Sequence, residues 1–230
     1  AFDMKINSSI ETKNFFVAND GMHSLLKKYE QRLKIYFNQK AIKIDEEKKL
    51  VYFESGNKES FDIIISSLPL PQAKEVFESK INHDATFNPC ISVGMTISGS
   101  PNYKHVAYKN INEDISWLGT SKFYNKKNDE TWVLQFSPDA SLAMMSDTDS
   151  FIQTLAEDAV RNTINGQYKI MHSGIFKWKY ALCSRSNLNN EYTYISKDAF
   201  AIGDWNLSPR VESAYISGNE LGKYLTKNIL

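Results

Sequence analysis

The run FDIIISSLPLP, residues 61–71, restricts the fold more than any other stretch of the chain. Ile63, Ile64 and Ile65 follow one another without the polar alternation of a strand that keeps one wet face. A short continuous β-branched run reads as a strand covered on both sides, the condition of the parallel part of an α/β sheet. Leu68-Pro69-Leu70-Pro71 stops that strand, and Pro71 suits the first turn of a helix reaching about Phe77.

A second constraint lies near the other end, in AFAIGDWNLSPRVESAYISG, residues 199–218. A short apolar strand runs into Gly203-Asp204, a few turn residues follow, and Arg210-Val211-Glu212 opens a helix. A helix N-terminus carries unpaired N–H groups and a positive dipole end, so it attracts anionic or electron-rich ligand groups. Asp204, at a strand end, can accept hydrogen bonds from ligand hydroxyls. Val211, Ala214, Ser217, Gly218 and Leu221 put small and apolar residues along one face, which allows close packing against a strand or a flat ring. On these local features a cofactor cradle and an ordinary helix on a sheet edge, with Asp204 as a turn residue, stand level.

Between these two features the pattern changes. Gly21-Met22 opens a helix with Leu25, Leu26, Tyr29 and Leu33 as its apolar stripe. Residues 34–45 read as one or two strands, Leu50, Tyr52 and Phe53 as another, and Ser55-Gly56-Asn57 as a turn. Residues 88–140 are rich in strands, with a polar loop at 125–130. Residues 147–164 form a helix capped by Asp147, Thr148 or Asp149, with Phe151, Leu155, Ala159 and Ile164 along one side. GIFKWKYAL, residues 174–182, is a further strand, followed by an Asn-rich loop at 184–191. The fold class expected is α/β with an α+β insert. Residues 1–75 and 196–230 form an incomplete Rossmann-like lobe, and residues 76–195 form an inserted, mainly antiparallel-sheet domain.

Charge excludes some classes of partner. Lys+Arg and Asp+Glu both total 27, so no basic field points to nucleic acid or a lipid surface. No apolar stretch is long enough to span a bilayer, and residues 1–10 lack the pattern of a signal peptide. Cys90 and Cys183 are far apart and read as two free thiols before a single disulfide; with no leader visible, the default location is cytoplasmic. His23, His83, His105 and His172 lack metal-ligand spacing, so no metal site is expected.

Six short motifs occur in one order: Gly21-Met22; Leu68-Pro69-Leu70-Pro71-Gln72; Ser116-Trp117-Leu118 with Ser121-Lys122; Trp132-Val133-Leu134 with Ser137-Pro138; Trp178-Lys179-Tyr180-Ala181; and Gly203-Asp204-Trp205 with Arg210-Val211-Glu212-Ser213-Ala214. This series resembles the C-terminal two-thirds of the flavin-dependent amine-oxidase superfamily, and within it the renalase-like oxidoreductases. The resemblance implies FAD as cofactor. Gly203 and Asp204 match the pair that approaches the pyrophosphate and ribityl chain. Arg210, Val211, Glu212 and Ala214 match the helix start whose backbone meets the pyrimidine edge of the ring, where N–H donors would stabilise the charge of a reduced flavin. Ala41 matches a strand residue facing the adenine, and Ser67, Leu68 and Pro69 a segment passing close to the dinucleotide. Trp178 and Tyr180 match the strand on the substrate side, and Lys122 a polar position facing the active site; these three are the catalytic candidates.

The family also carries a GxGxxG loop, and none of the ten glycines here forms one. The resemblance therefore places that loop before Ala1, as at least one βαβ unit. The parent is expected to be an FAD-dependent oxidoreductase passing a hydride from an amine or dihydronicotinamide-type small molecule to flavin and electrons on to oxygen. Two alternatives stay open: a cofactor-free binding module, and one piece of a split flavoenzyme whose sheet is completed by the missing segment or a second chain.

Overall fold

A computed structural model of the chain describes residues 4–5, 24, 26–78, 80–120, 129–187 and 189–228. The chain divides into two compact units that interleave in sequence: residues 1–34 with 89–179, and residues 35–88 with 180–230. The helix expected from Gly21 is described only as a short α1 (Lys27–Glu30) with no side-chain cap. Leu26, Tyr29 and Leu33 are each more than half exposed, so the expected stripe is not a buried face. Gly21, Met22 and Leu25 lie outside the described residues.

The first unit is built on a six-stranded sheet. Its strands, in spatial order, are β1 (Met4–Lys5), β7 (Ala107–Lys109), β8 (Ile115–Thr120), β9 (Asp129–Phe136), β6 (Ala85–Asn102) and β10 (Asn165–Ser186). β6 and β10 continue beyond this unit along the sequence. β9 alternates strictly: Glu130, Trp132, Leu134 and Phe136 point into the core while their neighbours do not. It pairs antiparallel with β6, Met95 opposite Trp132 and Val93 opposite Leu134. Two helices pack on this core, α3 (Pro138–Ala143) and α4 (Asp149–Thr163). Ser137 caps α3 by accepting from the Ala140 amide at 3.3 Å. Of the three caps expected for α4, Thr148 is the one used; its hydroxyl accepts from the Phe151 amide at 3.4 Å.

The buried stripe of α4 is one residue away from the expected one. Ile152, Ala156 and Val160 are fully buried, whereas Phe151 is 49% and Leu155 37% exposed. Ile164, the last of the expected set and five residues after Ala159, is buried as expected; over Phe151, Leu155 and Ala159 the spacing of four is the same as in the buried set, so periodicity alone does not separate the two. The sheet selects Ile152, Ala156 and Val160, which join its buried core.

The second unit holds two small sheets and two helices. β2 (Ala41–Asp45), β3 (Leu50–Phe53) and β4 (Lys58–Ser60) form an antiparallel meander, turned at Gly56 with φ 87°. β11 (Thr193–Ser196), β12 (Ala199–Ala201) and β5 (Ile64–Ser66) form the other sheet, with β12 and β5 parallel. The Ile run thus enters a parallel pair, as its composition predicts. Its second flank is different: among the described residues β5 is at the sheet's edge, and Ile65 is 44% exposed. α2 (Leu70–Val76), with Pro71 in its first turn, buries Leu70, Ala73 and Val76 against Ile44, Ile81, Cys183 and Trp205. α5 (Val211–Asn228) buries Ser213, Ser217, Leu221 and Leu225. Residues such as Phe77, Ile81 and Cys183, read from the sequence as part of the insert, pack inside this unit's core. No helix among the described residues is long and apolar enough to cross a membrane.

Candidate functional site

The parallel pair puts two chain segments side by side at its C-terminal end. Ala201 is in register with Ser66, and the Ile202 amide donates to the Ser66 carbonyl at 2.8 Å. One residue further on, Ser67-Leu68-Pro69 leaves one strand and Gly203-Asp204 the other. Open α/β sheets bind ligands outside the carboxyl ends of their strands. A cavity of about 220 Å³ lies at this place, lined by Ser67, Pro69, Phe87, Tyr180, Gly203, Asp204 and Ala214 among others. A whole small-ligand pocket is about 300–1,000 Å³, so this cavity holds part of a ligand at most.

Trp205 fixes the geometry. Its indole is 1% exposed and its Nε1–H donates to the Leu68 carbonyl at 3.2 Å, tying the end of one strand to the end of the other. The indole passes so close to Gly203 that a Cβ there would lie 2.5 Å from Nε1 and 2.7 Å from Cδ1. Only glycine fits. From the helix side, the fully buried Ser217 hydroxyl accepts from the Gly203 amide at 3.1 Å. The Gly203–Asp204 segment is therefore clamped between β5 and α5.

Asp204 is half-buried at the cavity wall. Burial pushes its carboxyl above the usual carboxylate range, and hydrogen bonds from the Trp205 amide and its own amide oppose that shift. At the start of α5, the Ser213 and Ala214 amides both turn back to the Arg210 carbonyl, at 3.1 and 3.3 Å. The Val211 and Glu212 amides have no partner among the described residues. These two N–H groups, in the first turn of an 18-residue helix, can donate to a ligand. Val211 itself is 84% exposed, and Arg210, Glu212 and Ala214 are exposed too; of the expected face, Ser217 and Leu221 are buried, whereas Val211 and Ala214, in its first turn, are not.

Of the sequence candidates, Ser67, Pro69, Tyr180, Gly203, Asp204 and Ala214 come together around one cavity. Leu68 joins them through its carbonyl bond to Trp205. Ala41 opens β2 in the neighbouring meander, opposite Phe53, and is not among the residues lining the cavity. Trp178 belongs to the first unit, where it is 55% exposed and stacks on Phe176 at 6.3 Å. Lys122 lies outside the described residues. Phe87, edge-on to Tyr180 at 5.9 Å, and Trp205 also line the cavity and carried no assigned role. The spacing Gly-x-Trp was a usable signal for Trp205; Phe87 gave none, because an aromatic in a strand reads as core. Among the described residues no group of three or more His, Cys, Asp or Glu is placed to hold a metal ion.

Comparison with known proteins gives a consistent picture. The model of the flavin containing amine oxidoreductase family matches residues 1–179. No curated protein sequence matches the chain. Among solved structures, a provisionally assigned protoporphyrinogen oxidase from Exiguobacterium sp. 255-15 is similar with a TM-score of 0.66 at 10% identity, over 91% of this chain and 52% of that one. An oxidoreductase from Methanosarcina mazei is similar with a TM-score of 0.60 at 12% identity, over 88% and 53%. The PF1083 protein from Pyrococcus furiosus is similar with a TM-score of 0.53 at 13% identity, over 86% and 48%. The chain thus spans about half the length of these structures, and at such identities they share its fold.

Proposed function

The chain belongs to the flavin containing amine oxidoreductase family, and from that premise we propose that it carries part of the FAD site of a hydride-transferring oxidoreductase. The observation that carries this reading is the strand-end cavity. Two parallel strand ends, Asp204 and Ala214 of α5 line one cavity in one compact unit, and the Val211 and Glu212 amides at the start of the same helix are without a partner among the described residues. That donor and acceptor set fits FAD: the carboxylate would accept from ribityl hydroxyls, and the Val211 and Glu212 amides would donate to the electron-rich edge of the ring. Bound there, FAD would supply the two-electron chemistry of a hydride transfer from an amine or dihydronicotinamide-type substrate, with oxygen as the final acceptor.

The chain's own residues do the positioning. The Trp205 indole and the Ser217 hydroxyl hold Gly203 and Asp204 in place before any ligand arrives. Tyr180 and Phe87 close the apolar wall of the cavity and exclude water. Ser67 and Pro69 bring backbone to its other side. Ala41, Arg210, Trp178 and Lys122 rest on the resemblance alone. Among the described residues no strand pairs with the outer edge of β5. We take that edge as the place where a further parallel strand, with its glycine-rich phosphate loop, completes the sheet, either on the same polypeptide or on a second chain.

FAD titration of the chain in the longest form its gene encodes, followed by flavin fluorescence and the visible spectrum, tests the reading. A yellow protein is expected, bleached anaerobically by a suitable amine or dihydronicotinamide and restored by oxygen. Asp204→Asn should weaken FAD binding by about tenfold or more, the loss of hydrogen bonds to a charged acceptor. A folded, colourless protein that leaves FAD fluorescence unchanged overturns the proposal.

A further inference from the structure

The first unit contains a larger cavity that shares no residue with the strand-end site. It measures about 470 Å³, inside the size range of small-ligand pockets. Its floor is Ile115 and Phe136, both almost fully buried, and its walls are Ala140 and Met144 from α3 and Leu155 and Ala159 from α4. The rotation of α4 described above creates this wall. Burying Ile152, Ala156 and Val160 leaves Leu155 and Ala159 facing the cavity, with Phe151 exposed one turn before.

The polar groups around this apolar trough are of one sign. Asp114 and Asp158 line it, together with the carboxamide of Asn162. Both aspartates are exposed at the rim and neither has an ion-pair partner among the described residues. From Ser137 to Thr163 the sequence has Asp139, Asp147, Asp149, Glu157 and Asp158 against Arg161 as the single base. Arg161 is already paired with Glu157 at 3.7 Å, and Lys177, which reaches in from β10, with Asp149 at 3.2 Å. The turn before β8 adds Glu113 beside Asp114. At this rim a cationic head group meets attraction and an anionic one repulsion, while an uncharged one gains neither.

We propose that this cavity between α3, α4 and the β7–β8 turn binds a small cationic amphiphile, an alkyl or arylalkyl ammonium compound. Its apolar chain lies on Ile115, Phe136 and Leu155, and its ammonium group stands between the rim carboxylates. Such a site is separate from the flavin reading and does not depend on it, because it asks nothing of Gly203, Asp204 or α5.

Three probes of equal chain length test it: octylammonium, octanoate and octanol, each titrated below its aggregation limit into the isotope-labelled full chain at low salt. Chemical-shift changes are read at the Ala140, Ala143 and Ala159 methyl groups. Octylammonium is expected to shift these methyls saturably, and at least tenfold more tightly than octanoate. Asp114→Asn with Asp158→Asn should bring octylammonium to within about threefold of octanol, without altering the spectrum of the free protein elsewhere. Ala143→Phe, a surface-exposed wall position, should block the site for all three probes. Equal affinity for octanoate and octylammonium overturns the proposal. So does unchanged octylammonium binding in the double variant, or shifts confined to other residues.

Discussion

Replacing Gly203 with alanine tests the clamp at the strand-end site in isolation from any ligand. The new methyl would sit 2.5 Å from Trp205 Nε1 and 2.7 Å from Cδ1, inside contact distance. The indole has nowhere to retreat, being 1% exposed and held by its bond to the Leu68 carbonyl. Either the ring shifts and that bond is lost, or the Gly203 backbone moves and loses the bond to Ser217. Overpacking of this kind costs about 1–3 kcal/mol, and the lost hydrogen bond about 1 kcal/mol more. The sum, about 2–4 kcal/mol, corresponds to a fall in Tm of roughly 5–15 °C for a chain of this size. Urea unfolding followed by far-ultraviolet circular dichroism gives the free-energy change directly. The Trp205→Phe background supplies the control: it removes the indole nitrogen, so Gly203→Ala should then cost at least about 1 kcal/mol less. A cost below about 0.5 kcal/mol, or the same cost in both backgrounds, would refute the steric explanation.

Further outcomes follow from other sites. Because burial raises the folded-state pKa of Asp204, the native protein keeps this proton to higher pH than the unfolded chain, and the associated stability is lost as pH rises. Asp204→Asn should therefore raise the Tm of the ligand-free protein at neutral pH, with the gain vanishing as pH falls below about 3.8; a gain that grows toward acid contradicts the assignment. Glu130 is 7% exposed and accepts from Tyr103 Oη at 3.0 Å, Trp132 Nε1 at 3.3 Å and Thr120 Oγ1 at 3.5 Å. Glu130→Leu removes these three bonds from a buried site and should destabilise by about 3 kcal/mol in urea unfolding. Thr148→Ala removes the α4 cap and should cost about 1 kcal/mol by the same measurement, while Thr148→Asp should be nearly neutral. Cys183 is 2% exposed and burial pushes its thiol up, whereas Cys90 is half-buried. An aromatic disulfide reagent should label Cys90 well before Cys183 in the native protein, and equal rates would show the second core to be open.

The sequence by itself determined what depends on near neighbours. A cap at Asp147, Thr148 or Asp149 and the helical spacing of apolar residues located α4; Pro71 placed the first turn of α2; Ser55-Gly56-Asn57 marked the turn of the meander, where Gly56 takes a positive φ. The Ile run announced a parallel strand, and its partner proved to be β12, which lies more than a hundred residues away in the chain. Tertiary structure alone decided which strand that was, because pairing over such a separation leaves no local trace. It also decided which of two equivalent stripes α4 buries. Each set holds two large apolar residues and one alanine, so composition does not separate them; the sheet surface that α4 meets does. The same holds for Gly203: its sequence shows a glycine before an aspartate, and only the fold shows the indole of Trp205 filling the space where a side chain would be. Local chemistry is written in consecutive residues, whereas the site arises where segments far apart in the chain are pressed together.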